Sequence, residues 1–419
     1  MGLKLLHCAD LHLDAVLSNS VRTSQQEYIS SETEVLLRDA PLLALQNIAK
    51  IAVEENVDLV AIAGDLFNMN DEAAKNDWVR SHLLDFFKTL QKNNIHACVV
   101  VGNHDPLRYI AEISNSWPKN VHLFNNKKPE TFIIDHVDYP ISVHGVSYES
   151  AHEERNLASM FPDKTIGNFN IGLLHTNVGN INHANYAPSD IKTLCSFGYD
   201  YFALGHIHKR EELCEFPMVG YSGNHQGFSA KPSETEPKGV MLIEIKSPDS
   251  KPISKFIETN VVRYVSEEIS LEKMNSVEEM AGFIYEYLQS EYNDIEQYIL
   301  CRLEINLIDY QGTFLDADDL ENIINDNLSN ILVTKLKVVN SSQNLAELAD
   351  VSEYYKCVQE EINSLTEITF DELYGKQSSK IQNLLIQNNS ENNVILDTEF
   401  LYEVEANIAK TNSEILGKK

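Results

Sequence analysis

This 419-residue sequence is poor in several things, and each scarcity narrows what the chain can be. No stretch approaches the ~18 consecutive apolar residues of a membrane-crossing helix, so no membrane span is expected. The opening residues, Met1 to Leu6, lack a basic segment followed by an apolar one, which argues against an export signal. Gly2 follows Met1, but Leu6 stands where a myristoylation signal carries Ser or Thr. The six cysteines, Cys8, Cys98, Cys195, Cys214, Cys301 and Cys357, are scattered and form no CxxC pair. That disfavours zinc ribbons and disulfide frameworks and fits a reducing cytoplasm, the expected location. Positive charge is also scarce: 33 Lys and Arg against 63 Asp and Glu leave a formal net charge of -30. A protein that grips nucleic acid over a wide surface usually carries a basic face, so broad non-specific DNA binding is disfavoured.

The first half does hold five short polar segments: Asp10-Leu11-His12, Gly64-Asp65, Gly102-Asn103-His104-Asp105, the lone His175, and Gly205-His206-Ile207-His208. The first three each follow an apolar run of strand type, over residues 3–9, 59–63 and 96–101, which puts the polar residues at strand ends. Loops at the ends of neighbouring strands converge, which is how ligands distant in sequence meet at one ion. Carboxylate, imidazole and one amide oxygen, without thiolate, suit manganese, iron(II) or zinc better than calcium. Two divalent ions about 3.5 to 4 Å apart clamp the attacking and leaving oxygens of a phosphoryl displacement. Such a pair needs a bridging carboxylate, and Asp65 is the natural choice. On an extended segment residues two apart point the same way, so Asp10 with His12, and His206 with His208, are each expected to chelate together. Taken singly, DxH or GNHD is better explained by a capping Asp or a hydrogen-bonded surface histidine. Five such segments in one order, at strand ends, point to a binuclear metal site.

Helices are expected over residues 42–53, where Asp39-Ala40-Pro41 is a start signal, and over residues 76–90. Beyond Trp117, strand-like runs follow at 121–124, 131–134, 141–146, 170–175, 199–204, 216–221, 239–245 and 253–257. The expected fold is α/β: a two-sheet sandwich flanked by helices, with the loops of both sheets meeting at one edge, in a catalytic domain of residues 1–258. Ser, Pro, Asp and Lys cluster at 246–255 and close that region. Residues 259–342 then read strand, helix, strand, helix, strand, an α+β capping domain. Residues 343–419 are expected to be a helical, acidic C-terminal segment. It has helical spacing from Leu345 to Ile362, an Asn-rich stretch, and an amphipathic stretch over 400–415.

The five segments resemble the motif series of the calcineurin-like metallophosphoesterase superfamily. More narrowly, His7-Cys8-Ala9-Asp10-Leu11-His12-Leu13-Asp14, Gly64-Asp65-Leu66-Phe67, Ala203-Leu204-Gly205-His206-Ile207-His208-Lys209-Arg210 and Tyr221-Ser222-Gly223-Asn224 are similar to its DNA repair exonuclease branch. The resemblance implies a metallophosphoesterase fold in which Asp10, His12, Asp65 and His208 hold one ion and Asp65, Asn103, His175 and His206 hold the other. Manganese is the metal it implies, with magnesium, iron(II) or zinc as alternatives. It makes His104 catalytic, stabilising the transition state at the scissile phosphate or protonating the leaving oxygen, with Asp105 fixing the orientation of His104. A hydroxide activated by the metals is the expected nucleophile, so no Ser or Cys nucleophile is sought.

The resemblance further implies a phosphodiesterase acting on DNA, an exonuclease or end-processing nuclease of DNA repair that takes ends or single strands. An SbcC-like coiled-coil ATPase, docking on the C-terminal helices, and a homodimer are the partners it implies. One position departs from the branch: Asn68 follows Gly-Asp-Leu-Phe where His or Asp is frequent. Asn can hydrogen-bond but cannot act as an acid, so phosphodiesterase chemistry is untouched while the vigour of exonuclease action is affected. Two other readings fit the same motifs: a phosphodiesterase for a small nucleotide, and a weakly catalytic scaffold for the ATPase. Arg108, Lys209 and Arg210 are either phosphate contacts or ordinary solvated charges. His7 reads as a core histidine and His225 as a loop histidine, while Tyr109 and Phe228 suit packing or base stacking.

Overall fold

The computed structural model describes residues 2–68, 76–179, 186–308 and 316–340. The chain divides into compact units at Met1–Ser342 and Gln343–Lys419, and the helical segment expected over 343–419 lies outside the described residues. Two six-stranded sheets pack against each other. The first has strands β1 (Leu3–Cys8), β2 (Leu59–Ala63), β3 (His96–Val100) and β4 (Val121–Leu123) in parallel, with β11 (Gly239–Ile245) and β12 (Ile253–Glu258) added antiparallel beyond β1. The second runs β5-β6-β7-β8-β10-β9, from Glu130–Ile134, Ile141–Val146, Phe169–His175, Tyr201–Gly205, Met218–Tyr221 and Glu211–Glu215, with β6, β7, β8 and β10 parallel.

Strand alternation decides which side chains meet. Leu3, Leu5, Leu59, Ala61, Ala63, Cys98 and Val100 face the second sheet and pack on Phe169, Ile171, Leu173, Tyr201 and Ala203. The intervening residues, Leu6, Cys8, Val60, Ile62, Ala97 and Val99, face outward under helices α1 (Ser31–Glu54) and α2 (Asp77–Lys92). Both faces of the first sheet are therefore apolar, as a mostly parallel sheet requires. His7 lies on the inner face: it donates from Nε2 to the Leu204 carbonyl (3.0 Å) and accepts from the Tyr201 hydroxyl at Nδ1 (2.7 Å), a core histidine with both nitrogens used.

The α/β class with two packed sheets flanked by helices is the observed one, but local boundaries differ from expectation. Helix α1 begins at Ser31, well before Leu42, and carries Pro41 inside it. The effective start signal is Ser30, whose side chain accepts the Thr33 N–H, reinforced by Glu32 and Glu34 in the first turn. Strand β9 and the short helices α3 (Leu107–Ser114) and α4 (Ile191–Ser196) were not anticipated. β9 is a polar edge strand with no apolar run to betray it, held by antiparallel pairing to β10.

After β12 the chain forms a third sheet of three parallel strands, β13 (Val262–Glu272), β14 (Tyr298–Ile308) and β15 (Ile331–Asn340). Helices α5 (Val277–Tyr292) and α6 (Ala317–Asn327) are its crossovers and share one core with one face of it. Right-handed crossovers taken in one direction put both helices on the same side. Val262, Tyr264, Leu300 and Leu332 pack instead on Leu17, Leu37 and Ala40, joining the third sheet to α1.

Candidate metal centre

Five parallel strands of the two packed sheets end at one edge, and each delivers polar residues there. Asp10 and His12 follow β1, Asp65 follows β2, Asn103 follows β3, His175 ends β7, and His206 and His208 follow β8. Backbone hydrogen bonds continue the pairing past the strands. Asp10 N–H reaches Gly64 O (3.0 Å), His12 N–H reaches Asp65 O (3.0 Å) and Thr176 N–H reaches Gly205 O (3.1 Å). Asp10 and His12 do converge, but not through extended backbone as expected, whereas His206 and His208, expected to chelate together, part company: His206 Nδ1 faces Asn103 and His208 Nε2 faces His12. β1 stops at Cys8, and Asp10 and His12 have φ of 52° and 40°; Asp65 (52°) and His206 (105°) are also at positive φ. Left-handed turns aim these side chains, at a cost of about 1 to 3 kcal/mol per residue that the surrounding packing must offset.

All seven sequence-derived ligand candidates come together. His12 Nε2 stands 3.3 Å from His208 Nε2, and Asp10 offers a carboxylate oxygen to the same group, with ligand atoms all within 4.8 Å of one another. Asp10, Asp65 and His175 make a second such group. Asp65 Oδ2 lies between the two, 3.9 Å from His12 Nε2 and 3.5 Å from His175 Nε2. Asn103 Oδ1 lies 3.0 Å from His175 Nε2 and 3.2 Å from His206 Nδ1. His175 Nδ1 donates to the Ala63 carbonyl (2.9 Å), so its Nε2 carries only a lone pair toward these oxygens. Both Asp10 oxygens accept the His206 N–H at 3.1 Å.

The electrostatics ask for a cation. Burial lifts the Asp10 carboxyl to about 6, and burial followed by the charges of Asp105 and Asp10 lifts Asp65 well above the usual carboxylate range. Burial and then the neighbouring imidazoles hold His12 and His175 well below the usual histidine range. Carboxylates that resist ionisation and imidazoles that resist protonation thus share one buried space. A divalent ion relieves both, by opposing the first charge and accepting the second lone pair. The donor set therefore fits a pair of borderline divalent metals.

His104 is half-buried beside this group. Its backbone N–H donates to Asp65 Oδ1 (3.0 Å), its ring meets His12 edge to face with centroids 5.0 Å apart, and its buried Nδ1 has no hydrogen-bond partner among the described residues. Burial, and then His208, lowers its pKa. Asp105 does not hold the His104 ring as expected. Its Oδ2 accepts the Leu66 N–H (2.7 Å) and its Oδ1 the Gly102 N–H (2.9 Å), so it ties the β2 loop to the β3 loop. A carboxylate buried at a strand end is drawn to the nearest unpaired backbone donors, and here these belong to the loops.

Sequence reasoning missed Glu234. Its buried side chain takes the other nitrogen of His208, with Nδ1 to Oε1 at 2.5 Å. No motif spacing marks it; the one signal was an acidic residue shortly after the Tyr221-Ser222-Gly223-Asn224 segment. The remaining candidates have local partners. Arg108 stacks on Tyr109 (4.6 Å), Arg210 lies over Phe256 (3.8 Å), and Lys209 stands 4.0 Å from Glu236. His225 is buried and bonds the Pro41 carbonyl (2.9 Å), and Phe228 packs edge-on against His12 (5.5 Å). Asn68 is exposed and its N–H binds Asp14.

Two packed sheets with a buried carboxylate and imidazole cluster at the carboxyl ends of their parallel strands define a metallophosphoesterase domain. Residues 3–210 match the calcineurin-like phosphoesterase family and form a domain of that kind. It is 34% identical over 251 residues to the protein called uncharacterized metallophosphoesterase YhaO of Bacillus subtilis (strain 168), covering 59% of this chain and 58% of that one. The match thus spans somewhat over half of that relative. The DNA double-strand break repair protein Mre11 of Nanoarchaeum equitans is 26% identical over 277 residues, 59% of this chain and 69% of its own. The nuclease SbcCD subunit of Staphylococcus saprophyticus is 24% identical over 286 residues, 62% and 70%. The family implies a binuclear divalent metal centre, which the Asp and His groups described above suit. Among the described residues no helix is long and apolar enough to cross a membrane.

Proposed function

We propose that this metallophosphoesterase is a phosphodiesterase acting on DNA, an exonuclease or end-processing nuclease of DNA repair in the cytoplasm, with manganese as its metal. The observation that carries the chemistry is the position of Asp65 Oδ2 between the His12 and His175 imidazoles. DNA as substrate is supported by the similarity to relatives named as a break repair protein and a nuclease subunit. Asp10, His12, Asp65 and His208 would hold one ion, and Asp65, Asn103, His175 and His206 the other. Such a pair would supply a hydroxide near neutral pH and neutralise phosphate charge.

The remaining work falls to the chain. His104, its backbone pinned to the bridging Asp65, faces the scissile phosphate and gives a proton to the leaving oxygen or stabilises the charge that develops there. Asp105 holds the two loops in shape. Residues 1–258 form the catalytic domain, 259–342 cap it and shape access for DNA, and 343–419 dock a coiled-coil ATPase of the SbcC type; the chain pairs as a homodimer.

A net charge of -30 favours a second reading, a small nucleotide substrate, because it opposes wide contact with a polyanion. End-labelled duplex DNA, single-stranded DNA and a cyclic nucleotide, each incubated with manganese, magnesium or chelator, separate the two. DNA cleavage in manganese that chelator abolishes is expected. Turnover of the cyclic nucleotide alone would replace the first reading by the second.

A further inference from the structure

We infer that Glu234 is the positioning residue that fixes His208 as a metal ligand, within a cradle formed by residues 222–238. The inference rests on the binuclear-centre reading and adds to it a part that no metal motif contains. His208 presents Nε2 to His12 and Nδ1 to Glu234 Oε1, the latter at 2.5 Å. An ionised carboxylate only accepts, so in the neutral, metal-binding form of the ring the proton sits on Nδ1 and Nε2 turns its lone pair to the cluster. Without that partner the ring is free to carry its proton on Nε2, the form that cannot ligate.

The carboxylate is itself oriented. Glu234 Oε2 accepts from Asn224 Nδ2 (2.7 Å) and from the Phe228 N–H (3.2 Å), and Glu234 is 5% exposed. The same segment grips the backbone of His208. Lys238 Nζ donates to the His208 carbonyl (2.8 Å), and Asn224 N–H approaches it at 3.4 Å. Gly223, at φ 71°, lies so close that a Cβ would come within 2.7 Å of that carbonyl oxygen. The Tyr221-Ser222-Gly223-Asn224 segment thereby gains a role, since its turn brings the chain against His208 and Asn224 aims Glu234. His12 makes the contrast, since its buried Nδ1 has no hydrogen-bond partner among the described residues. Of the two imidazoles that face each other, His208 is the one held from behind by described residues, so the affinity of that position depends on Glu234. Carboxylate partners of ligating histidines are worth about 10- to 100-fold in metal affinity.

The test uses the full-length chain, metal-free, with Glu234→Ala and Glu234→Gln beside the wild type, titrated with manganese by calorimetry and by electron paramagnetic resonance. The wild type is expected to take two ions and give the spectrum of a coupled pair. In Glu234→Ala one of the two affinities falls by about 10- to 100-fold, and at one equivalent the spectrum is that of an isolated ion. Glu234→Gln keeps an acceptor and falls between. Excess manganese restores phosphodiester turnover in both variants without a change in substrate KM, which a general loss of structure would not allow. Melting of the metal-free proteins checks folding, and Glu234→Gln carries the test if the alanine variant does not fold. Two ions bound by the folded variant or variants with wild-type affinity and spectrum would overturn the role of Glu234 alone. A wild type that binds no pair would overturn the binuclear centre and this role together.

Discussion

Asp10, His12, Asp65 and His206 all sit at positive φ without being glycine, an uncommon conformation that stores strain where the donors converge. The residue types there were legible in the sequence, because no thiolate competes with the carboxylates and imidazoles. Their aim was not legible, because backbone handedness at a loop depends on what the loop packs against. His104 and Asp105 are neighbours with separate roles, and substitution separates them. His104→Ala is expected to lose about 10²- to 10⁴-fold in hydrolysis of a simple phosphodiester while metal content, measured on the same preparation, stays at the wild-type level. Full activity in that variant refutes the assignment. Asp105→Asn leaves the Leu66 or the Gly102 N–H facing an amide NH₂. A loss of about 1 to 3 kcal/mol of stability, read from denaturant unfolding, is the expected result; an unchanged midpoint would show that the loops do not depend on this carboxylate.

The loops are shaped by what the strands bring near them. Where β3 ends, Gly102 lies against Asp65 and His175: a Cβ there would come within 2.2 Å of Asp65 Oδ1 and 2.8 Å of the His175 ring. Gly102→Ala is therefore expected to push Asp65 out of the position between the two imidazole groups and to lower bound metal below two ions per chain. Elemental analysis checks this, and two ions retained at wild-type affinity would contradict it. Among the elements themselves, strands with two-sided or alternating apolar pattern were readable, because burial on known faces leaves a period in the sequence. β9, α3 and α4 are short and lack such a period, so only their pairing and packing reveal them. Pro41 misled the start of α1, since a proline that suits a first turn also survives within a long, well-packed helix.

Across the whole fold, two buried histidines set an acid limit on stability. Burial lowers His7 to about 3 and His225 to about 4, the hydrogen bonds to Leu204 and Pro41 opposing it only in part. Both pKa values lie below the unfolded value of about 6.5, so the unfolded chain takes up protons that the native one refuses. Stability is then complete above about pH 6.5 and falls as the pH drops toward 4 and then 3, by roughly a few kcal/mol per histidine. Melting temperature followed from pH 7 to 4 checks the direction. If replacing His225 with a neutral isostere such as Gln leaves the acid slope unaltered, His225 is not part of the cause. The proposed docking of an ATPase belongs to this scale as well. A chain ending at residue 342 is expected to lose co-purification with a neighbouring coiled-coil ATPase, and retained binding would remove the docking role from residues 343–419.

The identity and order of the candidate ligands, the absence of thiolate among them, and the alternation that packs two sheets face to face are all written in the linear chain. These are properties of composition and period, which a linear chain displays directly. Tertiary structure alone decided that left-handed turns aim Asp10 and His12, that Asp105 binds loop backbone and not the His104 ring, and that Glu234 stands behind His208. Each of those depends on which polar atoms of different loops come within hydrogen-bond reach after the sheets have packed, and no local pattern in the sequence encodes that meeting.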